Sequence, residues 1–117
     1  MRLRAGLGQF DAVLAANLLC RLRDPRLCVE NFPALVRPGG QLVIATPCTW
    51  LEAFTPAAHW LGGFERNGAR VTTLQSLSEM LEPAFELKRG FDLPFLIREH
   101  ARKFQWNVAQ VSVWKRR

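Results

Sequence analysis

Two short apolar runs dominate the first half of the chain. The first run, Phe10–Ala16, is nearly continuous, which is typical of a strand buried on both faces inside a parallel sheet. The second run, Gln41–Thr46, reads in the same way and ends at Pro47. The pattern predicts two strands, of which the first is central in its sheet and not at an edge.

A helix is predicted between the two strands. Asp24 is a good N-cap, and Pro25 suits the first helical position. Pro33 cannot donate a backbone hydrogen bond, so we expect a kink or a restart there, and the segment 37–40 should stop the helix. The apolar residues at helical spacing are Leu27, Cys28, Phe32, Leu35 and Val36. Strand, helix and strand form a right-handed parallel unit, whose ligand sites gather at the carboxyl ends of the strands.

The second half predicts a loop, a helix and a closing hairpin. Residues 51–71 show no convincing long element, but they are too aromatic for a simple connector and are expected to cover another part of the molecule. Thr72 and Gln75 form a capping box for a helix that ends at Pro83. The strand-like stretches 91–97 and 104–114 then predict an antiparallel hairpin with a bulge.

Composition and charge narrow the class of protein. The chain has 117 residues, of which 49% are hydrophobic and 22% charged, so it fits one small globular domain or part of one. Its net charge of +6 permits binding to nucleic acid, but much of the excess lies near the termini, as at residues 115–117, and solvated charge explains it better. We therefore expect no nucleic-acid partner. We also expect no membrane partner, since no apolar stretch reaches the ~20 residues of a membrane span.

The cysteines indicate a compartment and exclude two kinds of site. Cys20, Cys28 and Cys48 are odd in number and form no C-x-x-C pair, so the sequence predicts neither a disulfide framework nor a metal site. A reducing, cytoplasmic location fits them best.

Several segments resemble known methyltransferases. Residues 10–19 and 37–44 resemble the fourth strand, following helix and fifth strand of class I methyltransferases. The narrower matches are to the mercaptohistidine N-methyltransferase domain of ovothiol biosynthesis. They lie in Thr49–Glu52, Phe54–Pro56, Trp60–Gly63 and Arg98–Trp106.

The resemblance implies a fold and a cofactor. The fold is α/β, the C-terminal part of a Rossmann-like methyltransferase sheet with a parallel βαβ unit and a closing antiparallel hairpin. Residues 1–117 are then a single partial domain that lacks the N-terminal cofactor-binding half, and they give S-adenosyl-L-methionine only a partial site. Gly6-Leu7-Gly8 does not replace the glycine-rich cofactor loop, because it precedes a strand and does not follow one. The resemblance also implies a partner chain that supplies the missing half, or self-association edge to edge.

Four candidate site residues follow the strands. Asn17 comes after the first strand, where its amide could orient an azole or the methionine part of the cofactor, so it is a catalytic and, with Leu18, a cofactor-binding candidate. Its alternative role is a turn asparagine. Trp50 follows the second strand and could stack on a substrate ring or the sulfonium, or else belong to the core. His59 could act in a lid, or simply be exposed.

The stretch 99–106 contains the other candidates. Arg102 suits a substrate carboxylate, Glu99 an ammonium group, and His100 is a candidate proton acceptor. Trp106 completes the proposed substrate-binding set. The alternative is a charged turn that leads into a strand.

Three functions from different classes are weighed, of which a basic nucleic-acid binder is favoured only by the net charge. The first is an S-adenosyl-L-methionine-dependent N-methyltransferase, or its substrate half, that acts on a mercaptohistidine-like small molecule. The second is a non-catalytic interaction module that pairs with another protein through an open sheet edge.

Overall fold

The fold combines an open sheet with two helices. A computed structural model describes residues 6–117. The elements within this range are β1 (Phe10–Ala16), α1 (Pro25–Leu35), β2 (Val36–Thr46), β3 (Phe64–Arg66), β4 (Ala69–Val71), α2 (Thr73–Leu81), β5 (Phe85–His100) and β6 (Lys103–Arg116). The predicted α/β class is confirmed. Neither described helix is long and apolar enough to cross a bilayer.

The main sheet has four strands in the order β1-β2-β6-β5. β1 and β2 are parallel, with Val13 opposite Leu42, whereas β6 runs antiparallel to both β2 and β5. The predicted parallel unit and closing hairpin are therefore confirmed. Both register shifts of the hairpin lie in β5, at 87–89 and 98–100.

β1 lies at the edge of the sheet among the described residues, which corrects the prediction from its composition that it is central and agrees with the open sheet edge that the family resemblance implies. Its side chains alternate between two environments, because successive residues of a strand point to opposite faces. Ala15 is 2% exposed, whereas Leu14 is 68% exposed. The apolar composition that suggested a fully buried strand is real, but the described residues bury only one of its faces.

α1 begins as predicted and ends differently. The Asp24 Oδ1 accepts a hydrogen bond from the backbone N–H of Arg26 at 3.1 Å, and Pro25 opens the helix. Pro33 does not restart the helix, because it falls in the last turn, only two residues before the end at Leu35. Pro33 cannot donate a backbone hydrogen bond to the preceding turn, and the helix ends two residues later.

The segment 37–40 belongs to β2, which corrects the prediction that it only stops the helix. Gly40 lets the two parallel strands approach each other, because a Cβ at this position would lie 2.9 Å from the carbonyl oxygen of Asp11. Arg37 pairs with the Asp11 carboxylate across the same strands.

α2 confirms the predicted capping box. The Thr72 hydroxyl accepts the Gln75 N–H at 3.2 Å, and the Gln75 side chain accepts the Thr72 N–H at 2.9 Å. Leu77 and Leu81 bury the inner face of the helix.

The segment 51–71 contains a short hairpin that the sequence analysis did not predict. β3 and β4 pair through a two-residue turn at Asn67-Gly68, whose φ angles are +52° and +78°. Positive φ at both central residues matches the type I′ turn that Asn-Gly favours. The signal was therefore present in the sequence.

The core lies between the two helices and one side of the sheet. We call that side the covered face; its strand residues Leu42, Ile44, Phe85 and Trp114 are each 0% exposed. The other side, which we call the open face, carries Leu14, Val43, Phe91, Val111 and Val113; Leu14 is 68% and Phe91 37% exposed there, whereas Val111 is 4% exposed.

Candidate functional site

The carboxyl ends of the parallel strands form one edge of the sheet. β1 ends before Asn17 and β2 before Pro47, and positive φ angles of +50° at Asn17 and +58° at Cys48 turn the chain away from the sheet. The Asn17 N–H still donates to the Ala45 carbonyl at 2.8 Å, which holds the turn beside β2. Parallel sheets place their ligands at this edge. The structure thus brings Asn17 to the predicted place, with its side chain exposed.

A cavity of about 340 Å³ opens at this edge. The turn after β1 forms one wall and the segment after β2 forms another. The third wall is the start of β6, next to the hairpin tip. Its lining residues are Cys20, Arg21, Pro47, Thr49, Leu51, Gln105, Trp106 and Asn107. Trp106 is 68% exposed, so its indole offers a broad apolar surface to a ligand. Of the predicted substrate residues, Trp106 alone lines this cavity.

Arg21 is held at the rim of the cavity by an aromatic contact. A short 3₁₀ turn at Leu19–Arg21 presents the side chain, and its guanidinium carbon lies 4.2 Å from the centroid of the Phe54 ring. That distance is within the range of a cation–π interaction. Sequence analysis did not assign Arg21 to the site, because the contact joins residues far apart in the chain.

The tip of the β5–β6 hairpin holds three predicted site residues away from the cavity. Glu99 forms an ion pair with Lys103 at 2.9 Å, and His100 Nδ1 accepts the N–H of Arg102 at 3.1 Å. The tip lies roughly 12 Å along the strands from Trp106, at about 3.4 Å per residue. The structure does not bring these three residues together with Asn17.

Trp50 lies in the core and not in the cavity. Its side chain is 7% exposed, and its Nε1–H donates to the Thr73 hydroxyl at 3.0 Å. Because the ring is enclosed and its donor is satisfied, this placement favours the core role over stacking on a substrate. Leu18, the second cofactor-binding candidate, also packs against the core.

The aromatic segment after β2 is tied to the turn after β1. The Thr55 hydroxyl donates to the Leu22 carbonyl, and His59 Nδ1 lies 3.1 Å from the Arg23 carbonyl oxygen. The Trp60 Nε1–H donates to the Thr55 carbonyl at 2.9 Å. His59 therefore anchors this segment, which covers the chain that leads into α1.

The three cysteines differ in their surroundings. Cys20 and Cys28 are buried, Cys48 is exposed, and none of them forms a disulfide. Partial desolvation raises the pKa of the Cys48 thiol, and the same cause raises the pKa of Cys28. No cluster of three metal-ligating side chains occurs within residues 6–117.

Comparison with known proteins places the fold in a family. The sequence pattern of the methyltransferase domain matches residues 2–87. A solved structure described as "Conversion of a Disulfide Bond into a Thioacetal Group during Echinomycin Biosynthesis" is similar in fold, with a TM-score of 0.57 and 13% identity. The alignment covers 92% of this chain and 49% of that one, so the chain spans about half the length of the structure it matches. No curated protein sequence gave a match.

The family match extends from the N-terminal region through both parallel strands and both helices to the start of β5. It includes the turns at Asn17 and Cys48 that form the ligand edge of the sheet. The chain therefore belongs to the methyltransferase-domain family.

Proposed function

We propose that this chain forms the acceptor-binding side of an S-adenosyl-L-methionine-dependent N-methyltransferase for a mercaptohistidine-like small molecule. The observation that carries the proposal is the cavity at the carboxyl ends of β1 and β2, which Trp106 closes from the hairpin. Its volume of about 340 Å³ falls at the lower end of the range for small-molecule sites. The family supports methyl transfer, and the cavity supports a small acceptor.

The cavity offers suitable groups for an azole. The Trp106 indole can stack on a planar ring, and the polar residues of the lining offer hydrogen-bonding groups for its nitrogens. A neutral imidazole already has one nitrogen with a free lone pair, so attack on a methyl group needs orientation before it needs a base. The proposal therefore assigns no proton transfer to His100.

The cofactor fits these residues only in part. S-adenosyl-L-methionine supplies a sulfonium methyl group when it is bound. No carboxylate lines the cavity, although ribose hydroxyls are usually bound by an acidic residue. In this proposal Asn17, at the end of β1, contacts the cofactor, and the remaining contacts come from strands beside β1.

The edge of β1 supports a partner. Leu14 is exposed there, and β1 has no described strand on its outer side. Such an edge pairs readily with another strand. A partner chain or further polypeptide would complete the sheet, and without it the chain would associate edge to edge. The same edge favours a second candidate function, a non-catalytic interaction module.

The cysteines without disulfides support a reducing compartment such as the cytoplasm.

Methyl transfer from radiolabelled S-adenosyl-L-methionine tests the proposal. The chain is assayed alone and joined to whatever polypeptide is encoded in frame before Met1, with mercaptohistidine, protein, DNA and RNA as acceptors. We expect transfer to mercaptohistidine by the joined protein, lost in Trp106→Ala and retained in Phe104→Ala, a neighbouring exposed aromatic. Transfer confined to a nucleic acid or a protein would refute the proposed substrate. Tight partner binding without transfer would select the interaction module.

A further inference from the structure

We infer that Arg21 makes the acceptor cavity selective for anionic ligands, so that the acceptor is a planar ring bearing a carboxylate. This inference rests on the proposed function, which supplies the acceptor. It names Arg21 as a residue that determines which acceptors bind. Arg21 lies on the turn after β1, opposite the hairpin wall that contains Trp106.

The charge of the lining is the first observation. Arg21 is the only formally charged residue among the eight that line the cavity, and the others are neutral polar or apolar. The lining thus carries one positive charge and no carboxylate to balance it. Such a cavity favours a ligand that carries a carboxylate.

The state of the guanidinium is the second observation. Arg21 is absent from the ion pairs found within residues 6–117. Its contact with Phe54, at 4.2 Å, uses one face of the guanidinium plane and leaves the edge N–H groups able to donate. Restricting the side chain in this way reduces the entropy lost when a ligand binds.

The geometry gives the class of ligand. A ring stacked on Trp106 would occupy the cavity that Arg21 also lines, so a carboxylate attached to the ring could reach the guanidinium. A carboxylate accepts two parallel hydrogen bonds from a guanidinium, which makes arginine the preferred partner for this group. Arg102, which the sequence suggested for this role, lies at the hairpin tip and does not line the cavity.

Two isosteric probes test the inference without any methyl transfer. Imidazole-4-carboxylate and imidazole-4-carboxamide are titrated into the chain at about pH 8, where the imidazole ring is neutral. Binding is measured by calorimetry and located by the NMR shifts of the Trp106 indole N–H. We expect the carboxylate to bind about five- to tenfold more tightly than the amide, because a charge-assisted bond replaces a neutral one. Added salt should reduce this preference.

Matched variants separate the role of Arg21 from a general charge effect. Arg21→Gln should bind both probes equally, and Arg21→Lys should retain part of the preference. Arg70→Gln removes the same charge from the exposed strand β4 and should leave the preference unchanged. Phe54→Leu should reduce the preference, because the guanidinium loses its aromatic support.

Equal binding of the two probes by the unaltered chain would overturn the inference, as would a preference that survives Arg21→Gln. Failure to bind either probe at millimolar concentration would overturn it too. The methyl-transfer assay is independent of these results. Transfer to an acceptor that has no carboxylate would contradict the inference about Arg21 while leaving the methyltransferase proposal intact.

Discussion

The two faces of the main sheet are built from the same strands and have opposite surroundings. On the covered face, Leu42 and Trp114 are 0% exposed beneath α1 and α2. On the open face, Leu14 and Phe91 are 68% and 37% exposed, although they are as apolar as their neighbours. Alternation along each strand therefore delivers apolar side chains to both faces, and the described helices cover only one.

The difference shows which part of the fold is self-sufficient. The covered face has a complete core, because strand residues and helix residues bury each other. The open face and the outer edge of β1 have the composition of buried surfaces without a described layer against them. We therefore expect the covered face to stabilise the fold and the open face to promote association with other chains.

Truncating one leucine on each face gives the largest expected contrast. Leu42→Ala on the covered face should lower the free energy of unfolding by about 2–5 kcal/mol, because it removes buried contacts and leaves a cavity. Leu14→Ala on the open face should change it by less than about 0.5 kcal/mol. Urea denaturation followed by circular dichroism measures both. Similar losses at the two positions would show that the open face is covered in solution.

The second prediction concerns self-association through the exposed edge strand β1. Leu14→Lys places a charge on the exposed side of the edge strand, so light scattering should show less association than in the unaltered chain. Leu27→Lys is the matched control, because Leu27 is also exposed but lies on α1. If the control lowers association equally, net charge and not the β1 edge is responsible.

Cysteine reactivity gives a smaller contrast. Iodoacetamide should modify Cys48 before Cys28, since Cys48 is exposed and Cys28 is buried. Desolvation raises the pKa of Cys48, so less thiolate is present at neutral pH than for a free cysteine, and the rate should keep rising with pH beyond the point where free cysteine levels off. Mass spectrometry across a pH series follows the reaction, with Cys48→Ser as the control. Equal modification of Cys28 in the folded chain would contradict the described core.

Local signals in the sequence account for most of the fold. The N-cap at Asp24, the capping box at Thr72 and the apolar runs of β1 and β2 each act through neighbours in the chain, and each was found. The Asn67-Gly68 turn was missed although its signal is equally local. The edge position of β1 does not follow from its apolar composition, which reveals no neighbouring strands, but it agrees with the open edge that the family resemblance implied.

The site was less predictable because its walls are distant in sequence. Asn17 was expected at the end of a parallel strand, and the structure places it there. Trp50 lies in the core, where its indole N–H donates a hydrogen bond to Thr73, a residue 23 positions away in the sequence. Arg21 contacts Phe54 and lines the same cavity as Trp106. Both residues are distant from Arg21 in the sequence, and the packing of the loop and the hairpin brings them close to it. No periodicity in the sequence encodes such contacts.

Titration with S-adenosyl-L-methionine tests the central claim, that the chain supplies the acceptor side of a methyltransferase and only part of the cofactor site. Isothermal calorimetry on the isolated chain should show weak binding or none, because the proposal gives this chain only the cofactor contact at Asn17 and assigns the remaining contacts to strands beside β1. Micromolar or tighter binding by the isolated chain, abolished by a substitution at Asn17, would contradict the account and show that these residues form a complete cofactor site.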